Sequence, residues 1–222
     1  MRNARDGGSV LEVPIIPIAD QIILPGAIQL LHIPETHLQD MLHRFSQKRD
    51  LVAISVARQL NDKALLGSHI AVLSEIVEVA DSDTPGNLAA QGRSRASIID
   101  FTQTHPFAVA RVRLIPESWS GAAISREDAK KRLIELLDRW AFLKGSDYPD
   151  ILNPVRTLPP ERICDIFGFY GITNTLQKKQ VLELIDGERR FEIIEQILVK
   201  EIDRMEKFPS IHHFPTDNTL LH

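Results

Sequence analysis

Along residues 13–115 the apolar positions come in short runs broken by proline, glycine and asparagine, whereas beyond Ser125 they recur at helical spacing. The stretch 13–26 (VPIIPIADQIILPG) sets the first pattern, with two apolar, proline-rich runs around Ala19-Asp20-Gln21. Neither run is long enough for an ordinary helix. Pro14, Pro17 and Pro25 fix φ and lack an N–H, so they suit edge strands, strand ends or turns and disfavour a central strand. The reading is an extended segment, a polar corner at Asp20, a second extended run, and a Pro25-Gly26 turn into a strand over residues 27–33. From Glu35 the period changes: Leu38, Met41, Leu42 and Phe45 share one face of a helix running to about Lys48. Strands are then predicted over 51–57, 67–80, 87–101 and 107–115, with a loop at 81–87 and a bulge or close backbone approach at Gly92. In the last strand Phe107, Val109, Arg111 and Arg113 alternate with Ala108, Ala110, Val112 and Leu114. Short consecutive strands with tight loops and one helix predict an antiparallel sheet curled into a small barrel.

The second half reads as helices. Ser125-Arg-Glu-Asp128 resembles a capping box with Asp in place of Glu, and Leu133, Leu136, Leu137, Trp140 and Leu143 form an apolar stripe that ends at Gly145. Residues 148–158, with Pro149 and Pro154, predict a loop holding at most one turn of helix. Pro159-Pro160 suits the start of a helix carrying Ile163, Ile166 and Phe167 and stopped at Gly171. Thr173 or Asn174 caps a short helix, and Asp186-Gly187 introduces a last one with Phe191, Ile194, Leu198, Ile202 and Met205 on one face. Together these predict a small helical bundle. The chain divides into a tail (1–12), a β subdomain (13–118), a helical subdomain (119–208) and a second tail (209–222), with no fixed-period repeat.

Composition narrows the function classes. With 222 residues, 43% hydrophobic and 25% charged, the chain can bury a real core. A net charge of -4 supplies no overall attraction to nucleic acid or anionic lipid, although a local basic patch is compatible with it. The single cysteine, Cys164, excludes an intramolecular disulfide framework and multi-cysteine zinc sites, and on a helix it reads as a small buried hydrophobe. No apolar run suits a secretory signal or a bilayer span, so the expected location is cytoplasmic. Beginning at Met1, the chain reads as a complete protein.

Local motifs argue against catalysis. No glycine leads into Lys-Ser or Lys-Thr as a phosphate loop requires, and GxGxxG, GxSxG and HExxH are all absent. His37 and His43 lie six residues apart on the predicted helix. That is not the i, i+4 spacing at which two imidazoles share a zinc ion. His212 and His213 lie in the tail, and His32, His69 and His105 flank strands, so no metal and no cofactor are expected. The pairs Glu75 and Glu78, and Glu192 and Glu195, read as solvated surface. Arg93, Arg95, Arg111 and Arg113 fall on neighbouring strands and offer a candidate basic strip for nucleic acid. The competing reading is that at least one of them ties a carboxylate or carbonyl at the sheet wall. Trp119, Trp140, Phe142, Phe167, Phe169 and Tyr170 cluster near the subdomain junction. Aromatic residues on more than one helical face make Trp119, Phe167, Phe169 and Tyr170 the candidates for an exposed peptide-binding groove.

An ordered series of motifs carries a family resemblance. VPIIPIADQIILPGAIQLLHIPE is similar to the start of the amino-terminal substrate-binding domain of ATP-dependent Lon proteases, although Ala19 replaces a frequent Arg and Ile23-Leu24 a usual Phe. LLGSHIAVLSEIVEV resembles that family's Gly-Thr-containing strand, and AAQGRSRASIIDF its Gly-x-x-Arg strand. PPERICDIFGFYGITNTLQKKQVLELIDGERRFEIIEQILVKEI resembles the segment leading into its long final helix. Asp20, Pro25, Gly26, Gly67, Gly92, Arg95, Lys179, Gln180, Asp186 and Arg190 fall at the matching places, where structural roles are expected. The resemblance covers roughly residues 13–208. It implies an α+β fold: a PUA-like antiparallel barrel with one helix, of the kind also seen in RNA-binding pseudouridine-synthase-like modules, joined to a C-terminal helical bundle. The nucleotide-binding module and Ser-Lys peptidase of Lon have no counterpart in the chain. The implied function is that of a stand-alone, non-catalytic module that binds unfolded or apolar polypeptide segments, with a separate protease or chaperone as a further partner. RNA binding through the barrel and the arginine strip is the alternative.

Overall fold

In the computed structural model, residues 9–19, 21–32, 41, 51–60, 63–79, 87–145 and 153–208 are described. Six strands, β1 (Val10–Ala19), β2 (Ile28–His32), β3 (Leu51–Leu60), β4 (Lys63–Val79), β5 (Asn87–Gln103) and β6 (Val109–Leu114), form one sheet in the order β2-β5-β4-β3-β1-β6. β5 also pairs with β6, so the pairings run in a cycle through β5, β4, β3, β1 and β6. The sheet is mixed, which corrects the all-antiparallel expectation, because β1 runs parallel to β3. The physical reason is the connection. β3 does not follow β1 through a hairpin; β2 and residues 33–50 intervene, long enough to return the chain for a parallel pairing.

The prolines of β1 stand in a strand with neighbours on both sides, contrary to the edge-strand reading. The strand tolerates them by changing partner midway: residues 10–14 pair with β6 and residues 15–19 with β3. Each proline therefore lies where only one flank carries ladder hydrogen bonds, and its missing N–H can face the other. Residues 13–16 of β1 are also buried on both faces. Val13 and Ile15 join one apolar cluster, and Ile16 and Ile18 join another. This accounts for a sequence run without polar alternation.

The two clusters divide the sheet. The smaller draws Val13, Ile15, Ala53, Ala71, Leu73, Ala96, Ala110 and Val112 from all five strands of the cycle. The larger joins Val52, Ile54, Val72 and Ile76 to the loop residues Ile22, Ile23 and Leu24 and to the helices. Those helices are α1 (Arg126–Lys144), α2 (Pro160–Tyr170), α3 (Thr175–Glu183) and α4 (Gly187–Lys207), with a single 3₁₀ turn at Val155–Thr157. Their limits follow local chemistry. Ser125 Oγ accepts the Asp128 N–H, Pro160 occupies the first turn of α2, and Asn174 and Asp186 cap α3 and α4. α4 packs on α1 and α2, its Ile194 and Leu198 buried. The helix predicted over 35–48 lies outside the described residues except for Met41, which is helical and buried. The loop at 81–86 also lies outside them.

Candidate functional site

Residues 24–27 place the candidate surface. The Ala27 N–H donates to the Leu24 carbonyl (3.1 Å), and Gly26 sits at φ 91°, a turn with proline at its second position and a left-handed glycine at its third. This turn docks on β5. The Gly26 N–H donates to the Gly92 carbonyl (2.9 Å), and the Gly92 N–H donates to the Ala27 carbonyl (2.8 Å). Gly92 is both a bulge and a close approach. The β4–β5 register slips beside it, and a Cβ there would stand 2.5 Å from the Leu24 carbonyl oxygen. The turn delivers β2 to the outer flank of β5, where it pairs on one side only among the described residues.

At this edge Ile28 and Leu30 are 49% and 74% exposed, on the same strand face and with no charged residue between them. Tyr170, at the C-terminal end of α2 and 63% exposed, lies alongside, its hydroxyl accepting the Ile28 N–H at 3.3 Å. The Tyr170 ring meets Phe169 edge-on at 4.7 Å, and the Lys178 ammonium lies 4.9 Å from the Phe169 ring centre. Partial burial pulls the Lys178 ammonium below its ordinary pKa. The result is an exposed apolar ridge of Ile28, Leu30 and Tyr170, backed by Phe169, which is half-buried against the core, with one cation at its margin. It offers apolar contact and main-chain hydrogen bonding, and it gathers no acid–base pair or nucleophile.

Of the four aromatic candidates, Phe169 and Tyr170 come together here and the other two do not. Phe167 is buried against Trp140, with ring centres 5.4 Å apart, so its assignment to an exposed groove is overturned: it faces the helical core. Trp119 is half-buried, donates its Nε1–H to the Ile124 carbonyl (3.0 Å) and packs on Phe191. Ile28 and Leu30 were not among the sequence candidates. Their signal was present in the alternation of Ile28-Gln29-Leu30, but neither the flank without a strand partner among the described residues nor the nearby Tyr170 is visible in a linear pattern.

The arginine strip does not assemble. Arg95 is buried, pairs with Asp165 and donates to the Leu182 and Val181 carbonyls (both 2.9 Å), which removes it from any nucleic-acid surface. Arg93 and Arg111 are exposed but engage Glu75 and Asp100, and Arg113 is exposed on β6. Arg190 is buried too, donating to the Leu184 carbonyl (2.8 Å) and pairing with Glu117.

Lys179 lies 3.7 Å from Glu183, the main-chain carbonyl of Gln180 accepts the Leu184 N–H at the end of α3, and Gly67 lies within β4. Asp20 lies outside the described residues, as do His37, His43, His212 and His213. The Cys164 thiol is buried, and burial pushes its pKa well up, away from nucleophilic chemistry. Among the described residues no cluster of His, Cys, Asp or Glu could hold a metal ion, and no helix is long and apolar enough to cross a membrane.

Comparison with known proteins places this geometry. The fold is similar to the N-terminal domain of the Mycobacterium avium complex Lon protease, with a TM-score of 0.60 at 22% identity over 87% of this chain and 98% of that one. It is also similar to a Lon N-terminal domain protein from Xanthomonas campestris, with a TM-score of 0.57 at 15% identity over 85% of this chain and 98% of that one. In sequence the chain is 21% identical over 210 residues to the Lon protease of Koribacter versatilis, and 27% identical over 126 residues to that of Dictyoglomus thermophilum. These matches cover 89% and 56% of the chain but 25% and 16% of the relatives, so the chain spans at most about a quarter of their length. Residues 12–200 match the model of the ATP-dependent protease La (LON) substrate-binding domain, and the chain belongs to that family.

Proposed function

We propose that the chain is a non-catalytic protein-recognition module that binds unfolded or exposed apolar polypeptide segments, without cofactor or metal, at the ridge formed by Ile28, Leu30, Phe169 and Tyr170. The observation that carries this reading is an exposed apolar ridge on a member of a family described as a substrate-binding domain. Exposed apolar residues set side by side are the usual mark of a protein-binding surface. The cycle of strand pairings and its alanine-rich cluster support a small barrel over residues 13–118, and the mutual packing of α1, α2 and α4 supports a helical bundle over 119–208. Pro25, Gly26, Gly67, Gly92, Arg95, Lys179, Gln180, Asp186 and Arg190 serve that scaffold. The module works in the cytoplasm and hands its cargo to a separate protease or chaperone. RNA binding finds no support in an arginine set of which one member is buried and two are paired with carboxylates.

Titration of a permanently unfolded polypeptide, such as reduced and carboxymethylated α-lactalbumin, tests the reading. Saturable binding in the micromolar range is expected, with little change as salt rises. Absence of binding, or retention on RNA that falls steeply with salt, would overturn it.

A further inference from the structure

The edge of β2 specifies how a segment would be held. The Gly92 N–H donates to the Ala27 carbonyl, and the register pairs Ile28 with Gln91, Gln29 with Ala90 and Leu30 with Ala89. In an antiparallel ladder the main-chain groups alternate between facing the partner strand and facing away. The Ala27 carbonyl and the main-chain groups of Gln29 and Leu31 therefore face β5, and those of Ile28, Leu30 and His32 face outward. The Ile28 N–H pointing at the Tyr170 hydroxyl agrees with this parity.

Two of the outward groups, the Ile28 N–H and the Leu30 carbonyl, are held by side chains that can swing away. Tyr170 accepts from the Ile28 N–H at 3.3 Å, a long bond, and Gln29 Nε2 donates to the Leu30 carbonyl at 3.0 Å. Edge strands that must stay unpaired are usually blunted by lysine, proline or an inward charge. The sequence of β2, IQLLH, contains none of these. Outward N–H and C=O groups at strand spacing are matched by an extended backbone, which presents acceptors and donors in the same alternation. Helical or folded partners have their main-chain groups already paired.

Resting on the recognition reading above, we infer that β2 binds its polypeptide by strand addition: an extended segment with apolar residues at alternate positions pairs with the outward flank of Ile28, Leu30 and His32. Its alternate side chains lie beside those of Ile28 and Leu30. Docking displaces the Tyr170 hydroxyl and the Gln29 amide from the main chain. Affinity comes chiefly from backbone hydrogen bonds, so the site selects extended, locally apolar chain and not a particular sequence.

The test uses the full chain and a fluorescent synthetic peptide of alternating valine and threonine flanked by lysines. A second peptide of the same sequence is N-methylated at successive central residues, which deletes the donors of both edges and keeps the side chains. Strand addition predicts that N-methylation weakens binding about tenfold or more, the loss of a few main-chain bonds. Leu30→Lys should weaken the unmodified peptide comparably, with thermal unfolding checking that the variant is folded. Tyr170→Phe, which removes the competing acceptor, should tighten binding about two- to tenfold. Equal affinity for the two peptides overturns the inference, and needs no variant. So does binding of carboxymethylated α-lactalbumin with no binding of the unmodified peptide, which leaves the recognition reading standing. If neither probe binds, both fail.

Discussion

Arg95 and Asp165 face each other as a two-pronged pair, with Nη1 to Oδ2 at 2.8 Å and Nη2 to Oδ1 at 2.7 Å, joining β5 to α2. Both side chains are buried, and Asp165 also has the Arg190 guanidinium at 3.5 Å. Glu117 pairs with Arg190 and lies 3.7 Å from Arg95, so two cations and two carboxylates balance between sheet and helices. The nearby Asp165 and Glu117 carboxylates raise the pKa of Arg190 against the opposing effect of burial, the largest single influence on it. Removing the central anion leaves two buried cations short of compensation. Asp165→Asn is expected to lower unfolding stability by about 3–5 kcal/mol, read as a shift in the urea midpoint; a loss below about 1 kcal/mol would show that the pair is not a keystone.

The turn at Pro25-Gly26 and the bulge at Gly92 depend on each other through main-chain contact. At Gly92 a Cβ meets the Leu24 carbonyl oxygen at 2.5 Å, and backbone cannot swing aside. At Gly26 the obstacles are φ 91° and the Arg162 and Ile166 side chains at 3.1 Å. Gly92→Ala and Gly26→Val should each cost about 2 kcal/mol or more, the order of a strained backbone position. Thermal melts would show it, and unchanged midpoints would mean that the turn is not seated on β5 as described.

Glu188 holds the link between the two halves of the chain. Its carboxylate accepts from the Ser120 hydroxyl and from the N–H groups of Ala122 (3.1 Å), Ala123 (2.8 Å) and Ile124 (2.9 Å). These donors, led by Ser120, hold its pKa at about 2 against an ordinary 4.5. A depressed acid stabilises the fold above its unfolded-state pKa and loses that contribution as pH falls toward the folded value. Stability should therefore fall as pH drops from about 4.5 to about 2, and Glu188→Gln should flatten that part of the profile. A variant whose slope matched the parent there would contradict the assignment.

Phe167 and Tyr170 stand three residues apart on α2 and should respond in opposite ways. Phe167→Ala empties a buried site against Trp140 and is expected to cost about 3–5 kcal/mol. Tyr170→Ala, at an exposed position, should change stability by less than about 1 kcal/mol. Equal costs in denaturant titrations would mean that the core and surface assignments are wrong.

Local structure was largely legible in the chain itself. Ser125, Pro160, Asn174 and Asp186 open the helices they were expected to open, and Gly145 and Gly171 close theirs, because a cap depends on atoms within a few residues. The family was legible too, since an ordered series of short motifs survives without any knowledge of contacts. The Pro25-Gly26 turn followed from local conformational preference alone.

Long-range partnership was decided by the tertiary structure. Periodicity says that a residue has an inner and an outer face, not which element covers it. Thus Phe167 and Tyr170 looked alike in sequence, and the structural role expected of Arg95 had no named partner until α2 closed over β5 and supplied Asp165. The mixed sheet is of the same kind: β1 pairs parallel to β3 and changes partner at its centre, which its prolines permit but do not announce. The candidate site follows from that folding, because β2 has one flank without a strand partner among the described residues only once β5 has taken the other, and Tyr170 reaches Ile28 across 142 residues of chain.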